Sequence, residues 1–281
     1  MKPTSDRSPD IDAATVDGVT VGSAIYVGPC GNYDEAVYDY RVPAGSSTLS
    51  AKIAAGDRSA TDTQVQVEFF LDKARAAVVT PRLGVPAEVI LEVTGVNTLS
   101  VRSYSEKSDS CGESRGVVLT KAEFSTAQHP AAKKAADGPS EYVVENDPVS
   151  DECDSFYFHS DTDPMHLSGR TNYHSLSAGR DGDIGADESG PCTFEYDLGR
   201  SATKIVATAG VHDASRTTFT CRAELSIDGK PVQTIDLSLG NTVPVDIPVP
   251  NALRLRVVFT FLGPGYGECV LGDFRIMRAR A

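Results

Sequence analysis

The chain has no tryptophan among its 281 residues, and aromatic residues make up only 7% of it. Any planar stacking surface must therefore come from smaller rings, tyrosine above all. No apolar run reaches the roughly 18 residues that a bilayer-spanning helix requires, so no such helix is written here. Cations are in deficit, with 26 Lys and Arg against 39 Asp and Glu and a formal charge of −13. No basic stripe offsets that balance, which argues against binding to a phosphate backbone. There is no C-x-x-C pair and no Cys/His spacing suited to zinc. The G-x-S-x-G elbow, the H-E-x-x-H helix and the Walker and Rossmann glycine patterns are also missing. With 39 acids in the chain, neighbouring carboxylates carry no catalytic information by themselves. The expectation is a protein that is not an enzyme.

What is present suits an exported globular protein. Hydrophobic residues make up 40% of the chain, enough for two cores. The six cysteines, Cys30, Cys111, Cys153, Cys192, Cys221 and Cys269, are scattered and even in number. That pattern points to disulfides in an oxidising compartment, with 15 pairings open in principle. Residues 1–10 are polar and rich in Pro and Ser and read as a disordered tether. A signal peptide or membrane anchor is expected to have been removed ahead of them, which places the protein outside the cell or on its surface.

An internal repeat sets the organisation. Tyr38-Asp39 opens a stretch that ends Ala55-Gly56-Asp57, and Tyr196-Asp197 opens one that ends Val211-His212-Asp213. The run from Gln64 to Asp72 matches the run from Thr220 to Asp228, and Leu91 to Arg102 aligns without a gap to Val245 to Arg256. Both copies finish on an acidic-Phe step, Glu123-Phe124 and Asp273-Phe274. Upstream, Val16-Asp17-Gly18 resembles Leu167-Ser168-Gly169, and Gly28-Pro29-Cys30 mirrors Gly190-Pro191-Cys192. A period above roughly 100 residues marks a duplicated domain, since solenoid repeats are far shorter.

Each copy is written in strands. Val65, Val67 and Phe69 alternate with polar residues, as do Leu253, Leu255 and Val257. Asp228-Gly229 follows a strand and signals a hairpin. The expected fold is all-β: two tandem antiparallel β-sandwich, jelly-roll-like modules over residues 11–128 and 151–281. Residues 129–150 form a linker with room for one short helical turn around Ala131 to Ala136. Keeping bridges within modules gives Cys30–Cys111 in the first. Cys153–Cys192 with Cys221–Cys269 is the favoured pairing in the second, and Val65 holds the place of Cys221 in the first.

The second copy resembles the NPCBM family, the novel putative carbohydrate-binding module. The likeness runs through Leu167-Ser168-Gly169-Arg170-Thr171-Asn172-Tyr173-His174, Phe194-Glu195-Tyr196-Asp197-Leu198-Gly199 and Gly210-Val211-His212-Asp213. It continues at Ile227-Asp228-Gly229-Lys230 and Leu253-Arg254-Leu255 and covers most of the second half. The first half joins through its likeness to the second. The resemblance implies a β-sandwich that binds sugars, in some members with a structural calcium. This chain lacks the Trp that the family tends to carry in its last strand region. Tyrosines expected in loops, Tyr26, Tyr33, Tyr104, Tyr173 and Tyr266, would have to supply the stacking face.

The sugar-binding candidates are Asn172, Tyr173, His174, His212, Asp213 and Tyr266, which combine a ring face with short polar groups. Asp57 stands where Asp213 does while no histidine stands at Gly56, which suits a structural Asp beside a variable His. Asp181, Asp183 and Asp187 form a candidate calcium loop, with Asp161 and Asp163 as further ligands. The expected partner is a glycan or cell-wall polymer, or else a surface protein bound by an ectodomain that acts as an interaction or spacer module.

Overall fold

The computed structural model describes residues 11–16, 18–28, 35–57, 59, 65–105, 116–135, 138–153, 157–161, 164–180 and 190–279, with the backbone alone at a few strand positions, 157–161 among them. Cys30, Cys111, Tyr33, Asp163 and the candidate calcium ligands Asp181, Asp183 and Asp187 lie outside the described residues. The chain divides into two compact units, Met1–Pro139 and Ser140–Ala281. Both are antiparallel β-sandwiches.

In the first unit the strands are β1 (Ile11–Val16), β2 (Val19–Tyr26), β3 (Glu35–Arg41), β4 (Thr48–Ala55), β5 (Val65–Leu71), β6 (Ala74–Val79), β7 (Ala87–Glu92), β8 (Thr98–Ser105) and β9 (Val117–Ser125). They form one sheet in the order β1-β2-β9-β4-β7 and another in the order β3-β8-β5-β6. The second unit contains β10 (Ser140–Tyr142), β11 (Ser150–Cys153), β12 (Tyr157–Asp161), β13 (Met165–Leu167), β14 (Arg170–Asn172), β15 (Ser175–Arg180) and β16 (Cys192–Asp197). It continues through β17 (Ala202–Val211), β18 (Thr220–Ile227), β19 (Lys230–Ser238), β20 (Thr242–Pro248), β21 (Arg254–Phe261) and β22 (Gly267–Arg278). Its sheets run β12-β15-β22-β17-β20, with β10 on β22, and β11-β16-β21-β18-β19, while β13 and β14 form a separate hairpin. Among the described residues the only helical element is a 3-10 turn at Val143–Glu145. No helix there is long and apolar enough to cross a membrane.

Alternation decides which face of each strand is buried. Leu255, Val257, Phe259 and Phe261 of β21 point inward and meet Phe194, Leu225 and Leu271 in one core. Phe194 and Phe259 pack edge to face at 6.2 Å, and Tyr196 and Phe274 at 6.5 Å, an arrangement that ring quadrupoles favour. The first core is built the same way around Val67, Phe69, Leu91 and Val101.

Strand pairing corrects the alignment of the two copies. Leu71 stands opposite Leu99, and Ile227 opposite Leu255, so Leu99 corresponds to Leu255 and not to Leu253. Tyr40, opposite Leu99, corresponds to Tyr196, opposite Leu255, displacing the Tyr38 match. Phe124 pairs with Leu49 while Ile276 pairs with Ile205, so the acidic-Phe steps are not equivalent. Each correction is a shift of two residues. A shift of two keeps every side chain on its own face, so the hydrophobic pattern cannot register it. Both last strands also carry a bulge at the same place, opposite Ala51 and Ala207, where Lys121 (φ 54°) and Asp273 (φ 51°) turn left-handed.

Tyr26 and Tyr104 lie on strands, Tyr104 fully buried, so neither is a loop residue. No helical turn forms around Ala131 to Ala136 among the described residues. Instead Lys133 donates its N–H to Ile90 O at 2.9 Å and bridges to Leu91. Ser140 to Tyr142, within the expected linker, pair with β22. The bridges Cys153–Cys192 and Cys221–Cys269 are both formed. The first joins two strands paired within a sheet. The second ties β18 to β22 and so clamps the two sheets together.

Aspartates set the hairpins. Asp228 (φ 47°) and Gly229 (φ 77°) make the two-residue turn from β18 to β19, with the paired positive φ values that hairpins of this length require. The Asp228 carboxylate also accepts the N–H groups of Leu253 (3.0 Å) and Arg254 (2.8 Å). Asp72 repeats this in the first unit, accepting from Asn97 (3.1 Å) and Thr98 (2.9 Å). Tyr40 and Tyr196 are buried, and neither hydroxyl has a hydrogen-bond partner among the described residues. Burial, helped by Tyr38 at Tyr40 and by Asp151 at Tyr196, pushes both phenols well above the ordinary tyrosine range.

Replacing Asp228 with Ala should destabilise the second unit by about 1–3 kcal/mol, because two backbone amides lose their acceptor; calorimetric melting checks this. Replacing Cys221 and Cys269 together with Ala should cost that unit about 2–4 kcal/mol in urea titrations. The phenols give a pH signature. Their folded-state values are raised, so the stability they contribute is complete below about pH 10 and is lost as pH rises beyond it. A Tyr196→Phe variant should lose less stability than the parent across that alkaline window in pH-dependent denaturation.

Candidate functional site

The core-facing residues of β15 and β22 include Leu176, Ala178, Cys269 and Leu271, all in the main core cluster. Strand alternation therefore turns Ser177, Glu268 and Val270 to the outer face of that sheet. The β13–β14 hairpin lies over part of this face. Met165 and Leu167 pack on Val270. Leu167 covers Gly210, where an added Cβ would sit 3.1 Å from its methyl, and Asn172 covers Gly272, where a Cβ would meet its side chain at 2.8 Å. Small residues on the sheet thus let the hairpin approach closely.

Asp213 holds the hairpin down. Its carboxylate accepts the N–H groups of Ser168 (2.8 Å) and Gly169 (2.7 Å) at the hairpin turn, and its own N–H donates to His166 O at 2.8 Å. The turn adopts φ values of 53° and 74° at Ser168 and Gly169. The first unit repeats the device: the Asp57 carboxylate accepts Gly18 N–H at 2.8 Å, and Asp57 N–H donates to Thr15 O at 2.8 Å.

Beside the hairpin is a polar niche. The His166 and His212 rings lie 6.1 Å apart, and Thr171 Oγ1 is 3.4 Å from His166 Nδ1. His212 N–H donates to Glu268 O (3.0 Å), and Glu268 N–H donates to Ser215 Oγ (3.1 Å). The Glu268 carboxylate, in a residue only 5% exposed, accepts from the Ser177 hydroxyl at 3.3 Å and the Tyr266 hydroxyl at 3.2 Å. Tyr266 sits on the Gly263-Pro264-Gly265-Tyr266-Gly267 loop, which is fixed from several sides. The buried Arg180 guanidinium donates to Gly263 O and, at 3.3 Å, to Gly265 O. Burial holds that guanidinium below its ordinary pKa. Thr218 Oγ1 donates to Pro264 O (3.1 Å), and Arg216 N–H donates to Tyr266 O (3.0 Å). A Cβ at Gly263 would collide with Thr218 O at 2.3 Å, and one at Gly267 with the Phe219 ring at 2.3 Å. The loop therefore requires glycine at both ends and presents Tyr266 in one place.

The candidates read from sequence fall into two groups. His212, Asp213 and Tyr266 belong to the niche or its support. Asn172 ties the hairpin to itself, its amide donating to Arg170 O at 3.1 Å. Tyr173 is 4% exposed and His174 1% exposed, and the His174 ring stacks on Tyr142 at 3.8 Å. Their rings face protein, not solvent. His166, Ser177, Arg180 and Glu268 went unnoticed in the sequence. A signal for Glu268 exists in the repeat: strand register places it against Gly116 of the first unit, an exchange of glycine for a carboxylate.

No family model and no curated protein matches the chain. Among solved structures, it is similar to the M60 catalytic domain with the CBM51-1 and CBM51-2 domains of Clostridium perfringens ZmpB, at 10% identity and a TM-score of 0.40, covering 99% of this chain and 38% of that one. It is similar to CBM51 of Clostridium perfringens GH95 in complex with methyl-galactose, at 15% identity and a TM-score of 0.40, covering 49% of this chain and 99% of that one. It is also similar to the CBM22-1-CBM22-2 tandem domain of Paenibacillus barcinonensis Xyn10C, at 10% identity and a TM-score of 0.30, covering 100% of this chain and 94% of that one.

Proposed function

We propose that the protein is a non-catalytic glycan-binding protein of the cell exterior, and that the niche on the outer face of the second unit holds the sugar. The observation that carries this reading is the Ser177–Glu268–Tyr266 network beside the paired imidazoles of His166 and His212. A sugar offers vicinal hydroxyls, each both donor and acceptor, on a ring with apolar faces. The niche offers a carboxylate as acceptor, imidazoles and hydroxyls in either role, and the Tyr266 ring as a face. These groups sit on a sheet and on a loop fixed by Arg180, so little freedom is lost when a ligand binds. The two bridges of the second unit are in keeping with an oxidising compartment. A structural calcium at Asp181, Asp183 and Asp187 remains part of the proposal, as does cell-wall polymer as the natural target.

The test is binding of the whole chain to a glycan and polysaccharide array, with and without calcium, beside Tyr266→Ala and Glu268→Gln variants. Binding to a defined sugar should weaken about tenfold or more in each, since a lost hydrogen bond to a charged group is worth roughly 1.5 kcal/mol or more. Tyr173→Ala should instead lower the melting temperature, its ring being buried. Absence of binding to every glycan would overturn the reading in favour of a surface-protein partner or a spacer role.

A further inference from the structure

Strand register superposes the niche on the same place in the first unit, position by position. Val118 pairs with Ala54 and Val270 with Gly210, so these valines correspond. Tyr26 pairs with Val118 and Ser177 with Val270, so Tyr26 stands where Ser177 does. Gly56 N–H donates to Gly116 O as His212 N–H donates to Glu268 O, so Gly56 replaces His212 and Gly116 replaces Glu268. Asp57 N–H reaches Thr15 O as Asp213 N–H reaches His166 O, so Thr15 replaces His166. The Thr15 and Thr20 hydroxyls, 3.4 Å apart, repeat the contact between His166 and Thr171.

We infer that the first unit is a closed copy of the binding module, its niche filled by its own Tyr26 ring, and that the chain therefore binds one ligand and not two. This rests on the reading of the second-unit niche as the sugar site. Gly116 has no side chain to occupy the niche, and a Cβ placed there would sit 3.0 Å from two carbons of the Tyr26 ring. The ring packs with Ala14, Val16 and Val118 in a small apolar cluster, and its hydroxyl donates to Ala13 O at 3.3 Å. The exchange is reciprocal. Where the second unit has small Ser177 and large Glu268, the first has large Tyr26 and glycine. Among the described residues both imidazoles and the carboxylate are gone, and the Tyr26 ring stands in their place. What the duplication retains is the scaffold: Asp57 still holds the hairpin turn, and Ser59 repeats Ser215 in bonding to the last strand, its hydroxyl donating to Gly116 O at 3.2 Å.

The experiment has two arms on the full chain. The first reads packing without a ligand, in a double-mutant cycle of Tyr26→Ser and Gly116→Glu followed by scanning calorimetry. Gly116→Glu alone should lower the melting of the first unit by roughly 5 °C or more, and by much less in the Tyr26→Ser background. Equal lowering in both backgrounds would overturn the inference. The second arm counts sites by calorimetric titration with the best-bound glycan of the array. One ligand per chain is expected, and the Glu268→Gln variant should abolish most of that heat. Two ligands per chain, or one that survives Glu268→Gln and is lost in Tyr26→Ser, would overturn it. If the parent binds no glycan, the sugar reading falls, and the cycle alone decides whether Tyr26 closes the first niche.

Discussion

A single carboxylate, placed just after a strand, governs the architecture on which the site depends. Asp213 accepts two amides from the turn of the β13–β14 hairpin and thereby fixes that hairpin against the outer face of the sheet. The left-handed turn residues Ser168 and Gly169 present their N–H groups as a pair, and a charged acceptor binds such a pair more strongly than a neutral one. The carboxylate satisfies both. Without it the hairpin would keep the Asp213 N–H to His166 O bond, the Ser168 hydroxyl on Gly240 O and its apolar contacts, but its turn would lose both amide bonds. Asp57 makes the same choice in the first unit, where Gly56 stands in place of the histidine. The aspartate is therefore a scaffold residue in both copies, and the histidine next to it in one copy is what the scaffold presents.

The fold was largely legible in the sequence. Alternation at Val65 to Phe69 and Leu253 to Val257, the Asp228-Gly229 turn and the recurrence of blocks gave the class and the division into two. Keeping bridges within a module left three pairings open for the last four cysteines, and the favoured one, Cys153–Cys192 with Cys221–Cys269, is the one formed. What stayed hidden has a physical reason. Strand sequences repeat with period two, so an alignment of two divergent copies is free to slip by two residues without exposing an apolar side chain. Tyr38 against Tyr196 and Phe124 against Phe274 are such slips. Only hydrogen-bonded register, which the chain forms in three dimensions, fixes the offset.

The same slip hid most of the niche. Glu268 belongs to a strand and stands two residues from Val270, on a face that in most sandwiches meets water, so its type and position look like any solvated acid. Its meaning comes from Ser177, far away in sequence, and from Tyr266 on a loop that Arg180 holds from below. Arg180 itself appears in sequence as one of many cations, yet it is fully buried and serves a loop of glycines. Conversely, Asn172-Tyr173-His174 has the composition of a sugar site but folds as a turn whose rings are packed away. Composition identifies groups able to meet a ligand, and the fold decides which of them gather on the outer face of the sheet.

Seen through the corrected register, the two copies differ where a scaffold gives them room to differ. The bulges at Lys121 and Asp273, the Asp72 and Asp228 turns, and the Asp57 and Asp213 clamps are held in common because each satisfies backbone amides or fixes a bend that the sandwich needs. The outer-face positions satisfy no such demand, so a glycine and a tyrosine can stand in one copy where a glutamate and a serine stand in the other. Exchange of large for small on one strand is accompanied by small for large on the next, which changes the local chemistry from apolar to polar. Chemistry is free to change there because the sheet beneath is stabilised by its other face. A duplicated β-sandwich can thus keep one copy as a closed structural module while the other carries a polar site on the same frame.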